Sequence, residues 1–252
     1  MSRRKFLAGN WKMYKGPADA DALAGELKRH LSGQSVADVA VAPPFLSLPA
    51  VAARLKQSGV HLAAQNLHWE PQGAFTGEVS GEMLRSVGVA YCIVGHSERR
   101  QLFGETDATV EKKVQACFRS GLLPILCVGE TLAEREANDA EKVVERQLAA
   151  ALGKLQADQI PSVTIAYEPV WAIGTGKVAT PAQAQEMHAF VRGWLTTHFP
   201  AFVPRTTRIL YGGSVKASNA DGLLSQPDID GALIGGASLV AEEFVGIVKA
   251  AG

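Results

Sequence analysis

Short apolar runs alternate with helix-like segments along the whole chain. Eight such runs, rich in β-branched and small apolar residues, recur at intervals of a few tens of residues. They begin at Phe6, Asp38, Val60, Ala90, Leu123, Val163, Arg208 and Gly231. The segments between them carry apolar residues at helical spacing, most clearly in 19–31, 106–121 and 179–195. The pattern predicts a strand followed by a helix, repeated along the chain.

This alternation favours an α/β fold with a parallel sheet, because near-continuous apolar strands are typical of a sheet covered by helices. Eight strand–helix units in 252 residues match one closed (β/α)8 barrel. An open doubly wound sheet is the structural alternative, but its usual glycine fingerprint is missing after the first run. No linker or composition break divides the chain, so we predict a single domain over residues 1–252.

The composition argues against several functional classes. Apolar residues make up 47% of the chain and charged residues 20%, which predicts a globular protein rather than a disordered one. Lys+Arg and Asp+Glu are both 25, so there is no general electrostatic attraction for nucleic acid or an acidic membrane. No stretch approaches the ~20 apolar residues of a transmembrane helix. We expect neither a nucleic-acid nor a membrane partner, and an anionic ligand has to be held locally.

The N-terminal sequence and the cysteines indicate in which cellular compartment the protein is expected. The stretch SRRKFLA at 2–8 resembles a twin-arginine export signal, but the polar residues and proline that follow do not form the apolar region that a signal needs. Cys92, Cys117 and Cys127 lack the number and spacing of a disulfide framework or a zinc site. We therefore expect buried thiols in a cytoplasmic protein.

Several of the apolar runs end in polar residues of catalytic types. In a (β/α)8 barrel the active site lies at the carboxyl ends of the strands. These ends carry Asn10, Lys12, Gln65, Asn66, His96, Glu130 and Glu168, followed by Gly212-Gly213-Ser214 and Gly235-Gly236 after the last two runs. We predict that these residues meet at one rim of the barrel.

Some of these residues also have a structural interpretation. Lys12 could be a solvated loop lysine, although its spacing of two from Asn10 points both side chains the same way along a strand. His96 alone could be a packing histidine, and only its place among other polar strand ends favours a site. Glu130 precedes Thr131, a plausible N-cap of the next helix, so we interpret Glu130 as structural.

The two glycine pairs near the C-terminus indicate a phosphate site. Without a Cβ, backbone N–H groups can approach a phosphate, and a following helix N-terminus favours the anion. The pairs could instead be turns, because glycine readily adopts positive φ. The tract GTGK at 174–177 is not a nucleotide P-loop, because Trp171 and Val178 stand where that motif requires glycine and Ser or Thr.

Five motifs resemble those of the triosephosphate isomerase family, in the family's order and spacing and over essentially the whole chain. They are GNWKM (9–13), VGHSERR (94–100), AYEPVWAIGTGK (166–177), YGGSV (211–215) and IGGASL (234–239). The resemblance implies a TIM barrel that interconverts dihydroxyacetone phosphate and D-glyceraldehyde 3-phosphate through an enediolate, with no metal and no organic cofactor. Tyr14 and Val178 depart from the frequent form of the motifs outside the catalytic positions, and Val178 could alter lid closure.

The resemblance also implies a role for each site residue. Glu168 is the implied catalytic base, and His96 is an implied neutral electrophile. Lys12 is the implied cationic neighbour, and Asn10 is an amide that orients the substrate. The family is a standard example of such acid–base pairing. The implied phosphate ligands are Gly174, Ser214, Gly235 and Gly236, and the candidate supporting partners of the catalytic groups are Ser97 and Glu98.

A lid and a dimerisation loop complete the implied picture. The segment 169–179 is expected to close over Glu168 and to suppress loss of phosphate from the intermediate. Its residues include Pro169, Val170, Trp171, Ala172, Ile173, Gly174, Thr175, Gly176 and Lys177.

The loop 65–80 exceeds the usual roughly 2–6 residues of a βα connection. The resemblance implies that Phe75 and Thr76 insert into a second subunit, with Arg99 also at the homodimer interface. The alternative is a loop folded over its own barrel.

Two other functions stay open at this point. A Schiff-base aldolase that uses Lys12 would be trapped covalently by borohydride in the presence of its substrate. A non-catalytic module that binds sugar phosphates would bind an enediolate mimic without turnover.

Overall fold

Eight parallel strands close into a barrel in chain order. The computed structural model describes residues 3–34, 36–172 and 179–252. The first strand is hydrogen-bonded to both the second and the last, with Phe6 opposite Asp38 on one side and Gly231 on the other. The strands are β1 (Phe6–Asn10), β2 (Asp38–Ala42), β3 (Val60–Ala64), β4 (Tyr91–Val94), β5 (Leu123–Val128), β6 (Thr164–Tyr167), β7 (Ile209–Tyr211) and β8 (Gly231–Ile234). Every predicted run contains a strand, which confirms the (β/α)8 barrel.

Helices follow the strands and cover the barrel. They are α1 (Pro17–Leu31), α2 (Leu48–Arg54), α3 (Gly81–Ser86), α4 (Ser97–Phe103), α5 (Asp107–Arg119), α6 (Leu132–Glu136), α7 (Ala140–Leu152), α8 (Pro181–His198), α9 (Phe202–Thr206), α10 (Ala217–Leu224) and α11 (Ala241–Lys249). Short 3-10 turns span Phe45–Ser47, Ile160–Ser162, Val170–Ala172 and Gly236–Leu239. The three clearest predicted helices are α1, α5 and α8. Thr131 caps α6 as expected, because its hydroxyl accepts from the N–H of Glu134.

The core has two layers, which explains why the strands read as continuous apolar runs. Side chains that point outward from the strands pack against the helices, as Leu7 does, while their neighbours fill the barrel interior, as Phe6 and Ala8 do. Both faces of each strand are therefore removed from water. Cys92 and Cys117 belong to the outer layer and Cys127 to the interior, and all three are buried free thiols, as predicted.

The N-terminal residues are tied to the base of the barrel. Arg3 pairs with Asp230 at 2.6 Å and Arg4 with Asp38 at 2.7 Å. The Lys5 ammonium donates to the carbonyl oxygens of Leu224 and Ile229. The arginines of the SRRKFLA stretch thus have structural partners. Within the described ranges, no helix combines the length and apolar character needed to cross a membrane.

Candidate active site

A cavity of about 530 Å³, here called the front cavity, opens at the carboxyl ends of the strands. The predicted site residues on its wall are Asn10, Lys12, His96, Ser214, Gly235 and Gly236. They come from β1, from the turn after β4 and from the loops after β7 and β8. The structure therefore brings together, at one rim, residues that lie up to 226 positions apart in the sequence.

Asn10 and Lys12 are held by a strained turn that directly follows β1. Lys12 has φ 50°, in the left-handed region that residues other than glycine seldom adopt. The backbone N–H of Lys12 donates to Asn10 Oδ1 at 3.0 Å. The Gln65 side-chain amide donates to the carbonyl oxygens of Lys12 and Ala42, both at 2.8 Å. Gln65 was placed at the rim by sequence but given no role, and the structure shows that it anchors the strained turn.

Glu98 connects the Lys12 ammonium to the His96 ring. Its carboxylate forms an ion pair with Lys12, and its backbone N–H donates to His96 Nδ1 at 3.2 Å. Because Nδ1 accepts this hydrogen bond, it carries no proton, and the proton of the neutral ring lies on Nε2. His96 occupies the N-cap position of α4, so the first turn of that helix sets the tautomer. The prediction that Glu98 supports the catalytic groups agrees with this geometry.

Glu168 lies behind the front cavity rather than on its wall. Its Oε2 accepts the Ser97 backbone N–H at 3.0 Å, and its Oε1 lies 3.0 Å from His96 Nε2 and 3.3 Å from Ser97 Oγ. The carboxylate instead forms part of the wall of a second cavity of about 390 Å³, here called the rear cavity. We refer to this placement as the retracted position of Glu168.

The buried Glu168–His96 pair perturbs both groups. Burial raises the pKa of Glu168, but His96 and the Ser97 amide outweigh it, and the net pKa is lowered. Burial lowers the pKa of His96, but the Glu168 carboxylate outweighs it, and the net pKa is raised.

Both glycine pairs line the front cavity, and steric crowding explains the glycines of the first pair, Gly212-Gly213. None of the four glycines has a positive φ, so the interpretation of the pairs as turns that need left-handed backbone is wrong. A Cβ at Gly212 would lie 2.9 Å from Glu168 Cγ, and one at Gly213 would collide with the Tyr211 hydroxyl. Glycine at these positions leaves room for the retracted carboxylate and for Tyr211.

Glu130 anchors the first residues of the predicted lid. It is fully buried, and its Oε1 accepts from Tyr167 OH at 3.0 Å, Trp171 Nε1 at 2.9 Å and Arg135 at 3.0 Å. The Val170 N–H donates to the Glu130 carbonyl oxygen at 3.2 Å. The structural interpretation of Glu130 is consistent with these contacts, which add a link to the lid that the sequence did not indicate.

The lid is described only in part. The Ala172 N–H donates to the Pro169 carbonyl oxygen at 2.8 Å in the short 3-10 turn that begins the segment, and Ala179 is buried at its end. Six residues of the predicted lid segment 169–179 lie outside the described residues: Ile173, Gly174, Thr175, Gly176, Lys177 and Val178.

The loop 65–80 places apolar side chains at the surface. The Phe75 ring packs on His68 at 4.3 Å between centroids, yet Phe75 remains 43% exposed and Thr76 is exposed. Arg99, the other predicted interface residue, pairs with Glu105 and lies 4.8 Å from the Phe103 ring.

Within the described residues, no group of three or more His, Cys, Asp or Glu side chains is arranged to hold a metal ion.

Comparison with known proteins shows to which family the chain belongs. The sequence model of the triosephosphate isomerase family matches residues 5–251. The chain belongs to the triosephosphate isomerase family. It is 56% identical over 247 residues to the triosephosphate isomerase of Syntrophotalea carbinolica, with 98% of each chain covered. It is 54% identical over 250 residues to that of Chloroherpeton thalassium, with 99% of each covered.

A third triosephosphate isomerase, from Trichlorobacter lovleyi, is 52% identical over 247 residues, with 98% of each chain covered. The reaction of the triosephosphate isomerase family is the interconversion of dihydroxyacetone phosphate and glyceraldehyde 3-phosphate in glycolysis. The resemblance read from the five motifs is therefore confirmed, and the TIM barrel with it.

Proposed function

We propose that this chain interconverts dihydroxyacetone phosphate and D-glyceraldehyde 3-phosphate with Glu168 as the catalytic base. The observation that carries the assignment is the meeting of a carboxylate, an imidazole and an ammonium group beside a cavity bordered by two glycine loops. Family membership supplies the reaction, and the roles of individual residues are inferred from their geometry.

The reaction moves a carbonyl group by one carbon, so a proton must leave the carbon next to it. Glu168 accepts that proton after its carboxylate turns from the retracted position into the front cavity. Negative charge then develops on the substrate oxygens, which His96 Nε2–H and the Lys12 ammonium stabilise. The Asn10 amide lies on the same wall and orients the substrate.

The ion pair of Lys12 favours an electrostatic role over covalent catalysis. A Schiff-base lysine must lose its proton before it attacks a carbonyl. The carboxylate of Glu98 instead holds the Lys12 ammonium in an ion pair at the rim of the front cavity. This contact favours the isomerase over an aldolase that uses Lys12.

The phosphate of the substrate belongs at the end of the front cavity that the loops after β7 and β8 form. Ser214, Gly235 and Gly236 form this end, and a Cβ at Gly235 would lie 3.4 Å from Lys12 Cε. Backbone N–H groups and one cation can therefore approach the phosphate together. Gly174, the remaining implied phosphate ligand, belongs to the lid and completes the set when the lid closes.

A coupled assay of isomerisation tests the base. Glu168→Gln keeps the shape of the side chain and removes the base, so we expect turnover to fall at least about 10²-fold. Glu145→Gln, the same change at an exposed position on α7 that lines neither cavity, is the matched control and should retain most activity. Near-normal turnover of Glu168→Gln would make the base assignment wrong, and covalent trapping of Lys12 by borohydride would favour the aldolase.

We further propose a cytoplasmic homodimer in which the loop 65–80 contacts a second subunit. Exposed apolar side chains support this proposal, since Met13 is 93% exposed and Tyr14 is 59% exposed directly after Lys12. Phe75 adds a further exposed ring.

Sedimentation at micromolar concentration tests the homodimer. Thr76→Arg should dissociate it, and Thr197→Arg, at an exposed position on α8, should not. A wild-type monomer would refute the proposal.

A further inference from the structure

The rear cavity has no part in substrate binding as assigned above. Its inner wall contains Ser97 and Glu168, and its outer rim contains the exposed residues Gln101, Thr106 and Arg146. The rear cavity shares no lining residue with the front cavity. It therefore connects the retracted Glu168 to the flank of the barrel, between α4 and α7.

The walls of the rear cavity suit water. Asp107 pairs with Arg100 at 2.7 Å and with Arg146 at 2.9 Å, so charged groups line the passage near its rim. Polar cavities of sufficient size hold water, whereas apolar ones stay dry. At about 30 Å³ per water, the volume of about 390 Å³ has room for on the order of ten molecules.

Ser97 joins this water to the base. Its hydroxyl donates to Glu168 Oε1 at 3.3 Å, while its backbone N–H holds Oε2 at 3.0 Å. A hydroxyl group both donates and accepts hydrogen bonds, so it can pass a proton along. Among the other partners of the carboxylate, His96 lies on the wall of the front cavity, where substrate binds, and the Cys127 thiol is buried in the barrel interior.

We propose that the Ser97 hydroxyl and the rear cavity form the route by which the proton on Glu168 exchanges with bulk solvent. This inference rests on the proposed role of Glu168 as base. After it has taken the substrate proton, protonated Glu168 returns to the retracted position beside Ser97. There it gives its proton to Ser97 Oγ while the hydroxyl gives its own proton to a cavity water, and the reverse steps return a solvent proton. Substrate in the front cavity blocks approach from the other side. The route thereby sets how much of the hydrogen in the product comes from solvent.

Isomerisation of dihydroxyacetone phosphate in D₂O measures this exchange. The product is trapped as it forms, and its C2 position carries either hydrogen transferred from the substrate or deuterium from solvent. Ser97→Ala removes the hydroxyl and keeps the backbone N–H, so we expect a several-fold fall in the ratio of deuterium to hydrogen. Ser97→Thr retains a hydroxyl and should restore the ratio.

Arg146→Trp tests the cavity without touching the base. Arg146 is 60% exposed at the rim, and a tryptophan there should obstruct the passage and lower the ratio. Lys142→Trp, on the same helix but 80% exposed and outside the cavity, is the control and should leave the ratio unchanged.

The outcomes separate the exchange route from the base assignment. An unchanged ratio in both Ser97→Ala and Arg146→Trp overturns the route, as does an equal fall in Lys142→Trp. Because the ratio is measured on turnover that persists, such a result leaves the role of Glu168 intact. Normal turnover of Glu168→Gln would instead show that Glu168 is not the catalytic base.

Discussion

Acidification should destabilise the protein through one buried histidine. His188 on α8 is fully buried, and its Nδ1 donates to the Ala184 carbonyl oxygen at 2.7 Å. Its ring packs between Tyr167 and Tyr211, at centroid distances of 5.7 and 6.2 Å. Burial lowers the pKa of His188 from 6.5 to about 4, because the charged imidazolium is poorly solvated there, and this outweighs the nearby carbonyl groups and Asp230.

The size of the effect follows from proton linkage. The unfolded chain binds a proton at His188 below about pH 6.5, whereas the folded protein does so only below about pH 4. The stabilising contribution of the neutral ring is therefore present above pH 6.5 and is lost as the pH falls towards 4. The difference between these two pKa values, at about 1.4 kcal/mol per pH unit, corresponds to about 3 kcal/mol in full. Between about pH 7 and about pH 5, the expected loss is about 2 kcal/mol.

Urea unfolding of the wild type and His188→Gln isolates this loss. The variant removes the titrating group, while the other ionisable groups are common to both proteins. We expect the free energy of unfolding of the wild type to fall about 2 kcal/mol more than that of the variant between about pH 7 and about pH 5. Protein concentration is held constant, because dimerisation would contribute to stability. Parallel pH profiles would refute the reasoning.

Two further predictions concern the base and the lid. Gly212→Ala places a Cβ 2.9 Å from Glu168 Cγ, so it should displace the retracted carboxylate and lower kcat by about tenfold or more while circular dichroism stays unchanged. Gly193→Ala, where an added Cβ meets nothing within 4 Å, is the control, and an equal effect there would contradict the steric argument. Trp171→Phe removes the hydrogen bond to Glu130, so kcat/KM should fall with little change in urea unfolding. Unaltered kinetics would show that this anchor does not act on the lid.

The fold and the members of the site were predictable from sequence for physical reasons. Barrel strands are buried on both faces, so their runs are apolar without interruption and easily recognised. Parallel strands place their carboxyl ends at one rim, so residues at those ends, such as Asn10 and His96, share a site by topology.

Contacts made across the barrel could not be predicted in this way. The hydrogen bonds of Glu168 to Ser97 join residues 71 positions apart, and those of Glu130 to Tyr167 and Trp171 span 37 and 41 positions. The anchoring of Lys12 by Gln65 depends on a left-handed turn that the residue type does not favour. Such details depend on loop conformation, which the periodicity of strands and helices does not encode.

The pairing of β1 with β8 also constrains when the barrel can close during translation. During translation β1 emerges early, but its second partner, β8, follows more than 200 residues later, and contacts such as Lys5 with Ile229 span 224 positions. Until then the nascent chain presents an open sheet edge, which is prone to association with other chains. Asn10 and Gly235 likewise cannot face each other before the last strand leaves the ribosome. Catalytic competence is therefore acquired only after β8 has been synthesised and has paired with β1.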